Sequence, residues 1–255
     1  MFSVRKLLAH TALASCLCAI RPDVADLTPP PGRMNGLPAR ILWVWERRED
    51  LSSLNPQTTA IATLDRTLLL GRTIAIAPRR QPYVYPAGII RISVVRIEAP
   101  GTIDPALEPA VADLVLDTLS TSSSALQIDF DARHSQRDFY TALLRDLRRR
   151  MPPSRPLSIT ALASWCSTDD WIKYLPVDEA VPMLFRMEPD RRFAPPDLPW
   201  LRIREPLCQS SIGISTREPS PASTAGKRVY IFPDRGWRAD LPLIAQTAPA
   251  QRNEP

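Results

Sequence analysis

LQIDFDAR, residues 126–133, reads as a short strand that ends in two carboxylates and runs directly into a helix. In an extended strand alternate side chains share a face, so Gln127, Asp129 and Asp131 point one way and Ile128 and Phe130 the other. Aspartate is depleted in strands, and a charge on a covered face is costly unless it is paired or used. The polar face is therefore the first place to look for a site. Ser135 with Asp138 three residues on predicts a capping-box start. Phe139, Tyr140, Leu143, Leu144 and Leu147 then follow at helical spacing. Strand, acids and helix form one β-α unit.

Working outward, apolar or β-branched runs begin at 41, 60, 89, 126, 157, 180, 212 and 229, which makes eight strands. Residues 67–70 and 73–77 around Gly71 predict a hairpin inserted after the second. Asp104 ahead of Pro105 predicts a helix start, with Leu107, Val111, Leu114 and Val115 as its apolar face. A short helix is expected at 169–174 and a Pro- and Arg-rich loop at 188–206; PSPASTAG takes the place of a helix before the last strand. Helical patterns between several strands imply parallel pairing with right-handed crossovers. The expected fold is α/β: a single compact, partly degenerate (β/α)8 TIM-like barrel over residues 39–248. A doubly wound open sheet is the other arrangement considered, but the chain has only 8 Gly and neither G-x-G-x-x-G nor a P-loop. In a (β/α)8 barrel, sites form where strands end. Glu46, Asp65, Glu98, Asp129, Asp131, Arg186 and Glu218 all fall at or just past such ends.

The chain has 255 residues and 44% hydrophobic content, ordinary for a globular core. Its 32 basic residues fall to 30 without Arg5 and Lys6, against 27 acidic ones. That balance, with no basic run interleaved with aromatics, argues against nucleic acid as a partner. Residues 1–15 read as a signal peptide of lipoprotein type, with a basic start and an apolar run. Leu13-Ala14-Ser15-Cys16 resembles a lipobox, which would make Cys16 the lipidated residue; an ordinary signal peptide containing cysteines is the alternative. Residues 7–20 are too short for a comfortable membrane span. Residues 16–38, with PPPG, are expected to form a flexible tether, and 249–255 a disordered tail. The expected location is the periplasm, with a lipid at Cys16 joining the protein to the envelope membrane. There are two histidines, and His10 lies in the leader, which excludes a His-rich metal site; a carboxylate-bound calcium or magnesium stays open without a loop signature, and no metal or cofactor is expected. Cys166 and Cys208 are the only thiols in the presumed folded domain, and an oxidising compartment favours their disulfide. A Cys166 nucleophile or a metal pair would need a Cys-His grouping or a spacing motif, and neither is present.

LQIDFDARHSQRDFY, LSITALASWC, DEAVPMLFRM, GIST and RVYIFPDRGW together resemble a bacterial family of exported domains catalogued as domain of unknown function 3142. A more distant similarity is to chitinase-type glycoside hydrolases, whose fourth barrel strand ends in D-G-x-D-x-D-x-E with the final Glu as proton donor. Laid over that pattern, Asp131 falls at the donor and Asp129 at the neighbouring carboxylate that tunes it. Trp237 resembles the aromatic that floors the sugar subsite in such barrels. Three departures stand out: Gln127 replaces an acid, Asp131 is one methylene shorter than Glu, and Arg186 follows the sixth strand where those enzymes offer Tyr and Asp. They argue against acetamido-assisted chemistry. The resemblance implies a hydrolase of cell-envelope or extracellular glycan; the alternative is a non-catalytic carbohydrate-binding or scaffold lipoprotein.

Glycoside cleavage usually needs one protonated carboxyl and a second carboxylate across the bond. Asp129 and Asp131 are too close along one strand to be both, which leaves Glu46, Glu98 or Glu218 as candidate partner acids. Arg96, Arg133 and Arg186 could bind an acidic sugar through bidentate pairing, or could neutralise the acids. Two interpretations of the acid pair stay open: a ligand or catalytic site, and a salt-bridge hub with Arg96 and Arg186. Trp165 and Trp237 are candidate sugar platforms or core aromatics, and His134 a solvent-facing residue ahead of the helix.

Overall fold

A computed structural model of the chain describes residues 32–119, 122–186, 202–218 and 223–247. Eight parallel strands close into a barrel in sequence order: β1 (Arg40–Val44), β3 (Thr59–Leu70), β6 (Ile90–Glu98), β7 (Ala125–Asp129), β8 (Leu157–Leu162), β9 (Glu179–Met183), β10 (Ser211–Ser215) and β11 (Arg228–Phe232). Closure is direct, because Arg40 of β1 is in register with both Thr59 of β3 and Val229 of β11. The remaining strands are accessory: β2 (Glu49–Asp50) pairs with β5 (Tyr83–Val84), and β4 (Ile74–Pro78) runs antiparallel to β3. The barrel is degenerate in its helices. Among the described residues two substantial ones are present, α1 (Glu108–Leu116) and α2 (Arg137–Arg150); α3 (Ala163–Ser167) and α4 (Trp237–Asp240) are single turns.

Alternation along the strands sorts side chains into three layers. Ile41, Trp43, Ala62, Val94, Tyr230 and Phe232 point inward. Val95, Leu126, Ile128, Leu157 and Ile159 face outward under α1 and α2. Leu42, Ile61, Ile212, Ile214 and Ile231 face outward elsewhere and are covered by Leu51 and Trp237. On α2 the five residues at helical spacing, Phe139 to Leu147, are buried. At roughly 1.5–3 kcal/mol for each fully covered large apolar side chain, that face docks the helix. The lower barrel is filled by a polar layer: Glu179 accepts from Tyr230 Oη at 2.8 Å and Arg228 Nη1 at 2.5 Å, and Gln127 Nε2 donates to Ser158 Oγ at 3.0 Å. Open space is left at the carboxyl ends of the strands.

Several local expectations change. The second strand and the first half of the hairpin are one twelve-residue strand, β3, with a register shift between Leu64 and Arg66. Asp65 shares the outward face of Thr63 and bonds Arg91, Ser93 and Thr63, so this acid belongs to the barrel wall and not to its mouth. The start of α2 is held by Gln136, whose Oε1 accepts the Arg133 N–H at 2.9 Å, rather than by Ser135 and Asp138. The Asp104 cap forms as expected, accepting the Ala106 N–H at 2.9 Å. Part of the expected tether is built into the barrel: residues 33–36 form a 3-10 turn, and Arg33 pairs with Asp178 at 2.8 Å and bonds the Pro153 carbonyl. The expected signal peptide, Cys16, most of the 188–206 loop and the 249–255 tail lie outside the described residues.

Candidate active site

Parallel register brings the site together. Arg96 on β6 is paired with Asp129 on β7, so their side chains stand side by side on the inner face. Arg96 Nη1 donates to Asp129 Oδ2 at 2.7 Å and Arg96 Nε to Glu98 Oε1 at 2.8 Å. Thr160 Oγ1, from β8, donates to Asp129 Oδ1 at 2.8 Å. Asp129 is 3% exposed, with both oxygens bonded, which satisfies its burial. The expected salt-bridge hub is thus half formed: Arg96 serves Asp129, whereas Arg186 turns to Asp234, with Nη2 at 3.1 Å from Oδ1.

Asp131 lies two residues beyond Asp129, past the end of β7, and keeps solvent access at the mouth. The protein around it strips enough water to push its carboxyl above the usual carboxylate range. The Asp129 charge adds to the shift and Arg96 opposes it. Asp129 and Asp131 line a cavity of about 640 Å3 together with Arg96 and Arg186. Its apolar wall is Trp45, Leu162, Met183, Phe185 and Phe232, and Ser164, Ser167 and Thr168 of the α3 turn supply hydroxyls. The aromatics support one another, with Phe232 centred 4.7 Å from both Trp43 and Phe185. Gly213 leaves room for this packing: a Cβ there would stand 3.2 Å from Phe232 Cε2 and 3.2 Å from the Pro182 carbonyl oxygen.

Two loops shape the rim through Asp240, which is fully buried at the end of α4. Its Oδ2 accepts from Thr216 Oγ1 at 2.7 Å and from the N–H groups of Asp234 and Arg235; Oδ1 accepts from Arg217 Nη2 at 3.0 Å. Burial opposes the charge of Asp240, but these bonds outweigh it and hold the carboxyl below its usual range. Arg186 adopts a left-handed backbone at φ 53°, and its N–H donates to Glu218 at 3.1 Å. A non-glycine residue in that region is uncommon and costs of order 1 kcal/mol.

The other sequence-predicted residues separate into two groups. Arg133, Glu98 and again Arg96 and Asp131 line a second, smaller space of about 280 Å3. The candidate partner acids do not line the large cavity: Glu46 Oε1 accepts the Arg80 and Gln81 N–H groups, and Glu218 accepts from Arg186. Trp165 and Trp237 require correction as platforms. Trp165 is 2% exposed and meets Trp171 edge-on at 4.9 Å under the α3 turn. Trp237 is fully buried outside the barrel, with Nε1 donating to the Trp43 carbonyl at 2.8 Å. Both follow strand ends in turns that fold outward, so their rings enter the outer layer. The aromatics that do line the site, Trp45, Phe185 and Phe232, were not singled out from sequence; they share inward parity with Trp43 and Tyr230, which was the available signal. His134 is exposed ahead of α2.

Cys166 and Cys208 form a disulfide, Cα atoms 5.9 Å apart, tying α3 to the segment before β10. Such a bond suggests an extracytoplasmic location. Among the described residues no three His, Cys, Asp or Glu side chains are grouped as a metal site requires, and no helix is long and apolar enough to cross a membrane.

Residues 91–187 match a family described as a domain of unknown function, DUF3142. The DUF3142 match runs from β6 past β9 and so contains Arg96, Asp129, Asp131, Arg133, Thr160 and Arg186; Glu46, Glu218 and Trp237 lie outside it. No curated protein matches the chain. Among solved structures, the chain is similar to the Bacillus cereus spore cortex-lytic enzyme SleL, at 14% identity and TM-score 0.41, over 69% of this chain and 51% of that one. It is also similar to the chitinase domain of the Clostridium difficile spore coat protein CotE, at 13% and 0.39, over 58% and 50%. A third is the Cordyceps militaris endo-beta-N-acetylglucosaminidase, at 11% and 0.44, over 78% and 82%. The chain spans about half the length of the first two.

Proposed function

We propose that the chain is a glycoside hydrolase acting on a cell-envelope or extracellular glycan, with Asp131 as general acid. The observation that supports this most is the position of Asp131, a carboxyl pushed toward its protonated form at the mouth of a cavity walled by aromatics and hydroxyls. A carboxyl that keeps its proton nearer neutrality can give it to a departing glycosidic oxygen. Asp129 raises the proton affinity of Asp131 and places negative charge beside the positive character that develops on the sugar ring. Arg96 and Thr160 hold it there. Trp45, Phe185 and Phe232 offer faces to the apolar side of a sugar ring, and the α3 hydroxyls offer partners to its edge.

One observation favours a second function, carbohydrate binding without turnover. Among the described residues the large cavity holds no carboxylate besides Asp129 and Asp131. Product analysis of the purified protein on neutral, amino and acidic bacterial glycans separates the two, with Asp131→Asn alongside. Cleavage by wild type and none by the variant, with ligand affinity kept, is the expected result. Binding by calorimetry without any product would replace the hydrolase with the binder.

The proposed location is the periplasm, with export by a signal peptide over residues 1–15 and anchoring through a lipid on Cys16. Support comes from the LASC motif and the Cys166–Cys208 disulfide. Cys16→Ala should move the protein from the membrane to the soluble fraction; unchanged membrane association would remove the anchor.

A further inference from the structure

Arg96 and Asp131 line both the 640 Å3 cavity and the 280 Å3 notch, so the two spaces meet at the proposed proton donor. The notch lies between the ends of β6 and β7, where Leu69 of the β3–β4 arm, Pro100 and Phe130 form its apolar sides. Its polar groups are Arg96, Glu98, Asp131 and Arg133. Their commitments differ. Glu98 is held by Arg96 Nε, and Arg96 is shared between Glu98 and Asp129. Arg133 donates Nη1 to the Pro100 carbonyl at 2.8 Å, which orients the guanidinium; it shares the notch with Glu98 and Asp131 but forms an ion pair with neither.

We propose that this notch is the leaving-side subsite and selects a sugar bearing a carboxylate, as in a uronic acid, through Arg133. The proposal rests on Asp131 acting as the general acid. The side is assigned by Asp129, which lines the large cavity but not the notch. The ring that develops positive charge belongs beside that carboxylate, so the large cavity takes the sugar whose anomeric bond is cleaved. As the glycosidic C–O bond breaks, the departing oxygen takes the Asp131 proton at the junction, water adds to the anomeric carbon and gives up its proton to solvent, and the remainder of the leaving sugar extends into the notch. There the Arg133 fork can meet a planar carboxylate with two parallel N–H donors, while the exposed Leu69 covers the ring's apolar face. Arg96, shared between Glu98 and Asp129, offsets part of the repulsion between Glu98 and the incoming anion. The chain would then cut within polymers that carry acidic sugars, and would discriminate on the leaving side.

Oligosaccharides of galacturonate, hyaluronan and alginate, each paired with its carboxyl-reduced counterpart, test this by calorimetry on the wild-type protein and by kcat/KM wherever cleavage occurs. At least one carboxylate form should be preferred about tenfold or more over its reduced partner, as one charge-assisted contact implies. Arg133→Gln should erase that preference, lowering affinity for the carboxylate form far more than for the reduced one, and Arg133→Lys should restore part of it. Equal binding of every pair, no binding of any, or a preference that survives Arg133→Gln would overturn the subsite. A preference that depends on Arg133, found in a protein that cleaves none of the panel, keeps the subsite and removes the hydrolase.

Discussion

Replacing Asp129 by Asn isolates the charge on which the site depends while keeping its shape. Asp129 is 3% exposed and accepts two bonds, from Arg96 at 2.7 Å and Thr160 at 2.8 Å. An asparagine can keep one of them through its single oxygen; its amide N–H groups then face the other donor. Losing a bond to a charged group costs about 1.5–3 kcal/mol, and stranding a buried partner costs more. Arg96 is partly solvated, with a side chain 31% exposed and Glu98 still bonded to it, so water recovers some of the loss. The net expectation is about 2–3 kcal/mol of destabilisation at pH 7, read as a lower urea midpoint at unchanged slope. Asp131 provides an internal control of opposite sign. Its folded proton affinity is raised, so its contribution to stability is present below the unfolded aspartate value and lost as pH rises through the folded one. Asp131→Asn should therefore stabilise the fold at pH 7 and change little near pH 3. Carboxyl-carbon NMR should also show the Asp131 titration moving down in Asp129→Asn. An Asp129→Asn protein as stable as wild type, with the Asp131 titration unmoved, would refute the assignment of Asp129 as the charge that tunes the site.

Three further outcomes are expected. Among the described residues Tyr140 Oη is buried without a hydrogen-bond partner, so Tyr140→Phe should hold or raise stability by up to about 1 kcal/mol in urea unfolding; a clear loss would mean the hydroxyl is bonded. The disulfide closes a separation of 42 residues, for which chain entropy gives about 4 kcal/mol. The double variant Cys166→Ser/Cys208→Ser should lose stability on that scale, and an unchanged midpoint would contradict it. Because the folded Asp240 carboxyl titrates below its unfolded value, its contribution is present above the unfolded value and lost as pH falls through the folded one. Asp240→Asn should flatten the acid side of the stability profile, and an unaltered profile would show that the rim does not depend on that charge.

Much of the barrel was legible because its signal is periodic. All eight strands begin within a residue or so of the positions marked by their apolar runs, and strand parity at 126–131 put Asp129 on the face opposite Ile128 and Phe130, which the barrel makes the inner one. The Cys166–Cys208 pairing followed from compartment and count. The failures share a cause: position along the chain does not say to which side a turn folds. Trp237 and Trp165 sit just past strands, as a sugar platform should, but their turns fold into the outer layer. Glu46 and Glu218 also sit at strand ends, and each is occupied by neighbouring backbone N–H groups that no periodicity reveals. The apolar stretch on either side of Asp65 hid a bulge, so one long strand looked like two. Phe185 and Phe232 could have been found by continuing the inward parity of β9 and β11 to the strand ends.

The most direct test of Asp131 as proton donor is to vary how much the leaving group needs a proton. Wild type and Asp131→Asn are compared on the glycan found to be cleaved and on the dinitrophenyl glycoside of the same sugar, whose phenolate departs without protonation. If Asp131 is the general acid, the variant should lose about 100-fold or more in kcat/KM on the natural linkage and far less on the dinitrophenyl glycoside. An equal loss on both, or no loss on either, would contradict it.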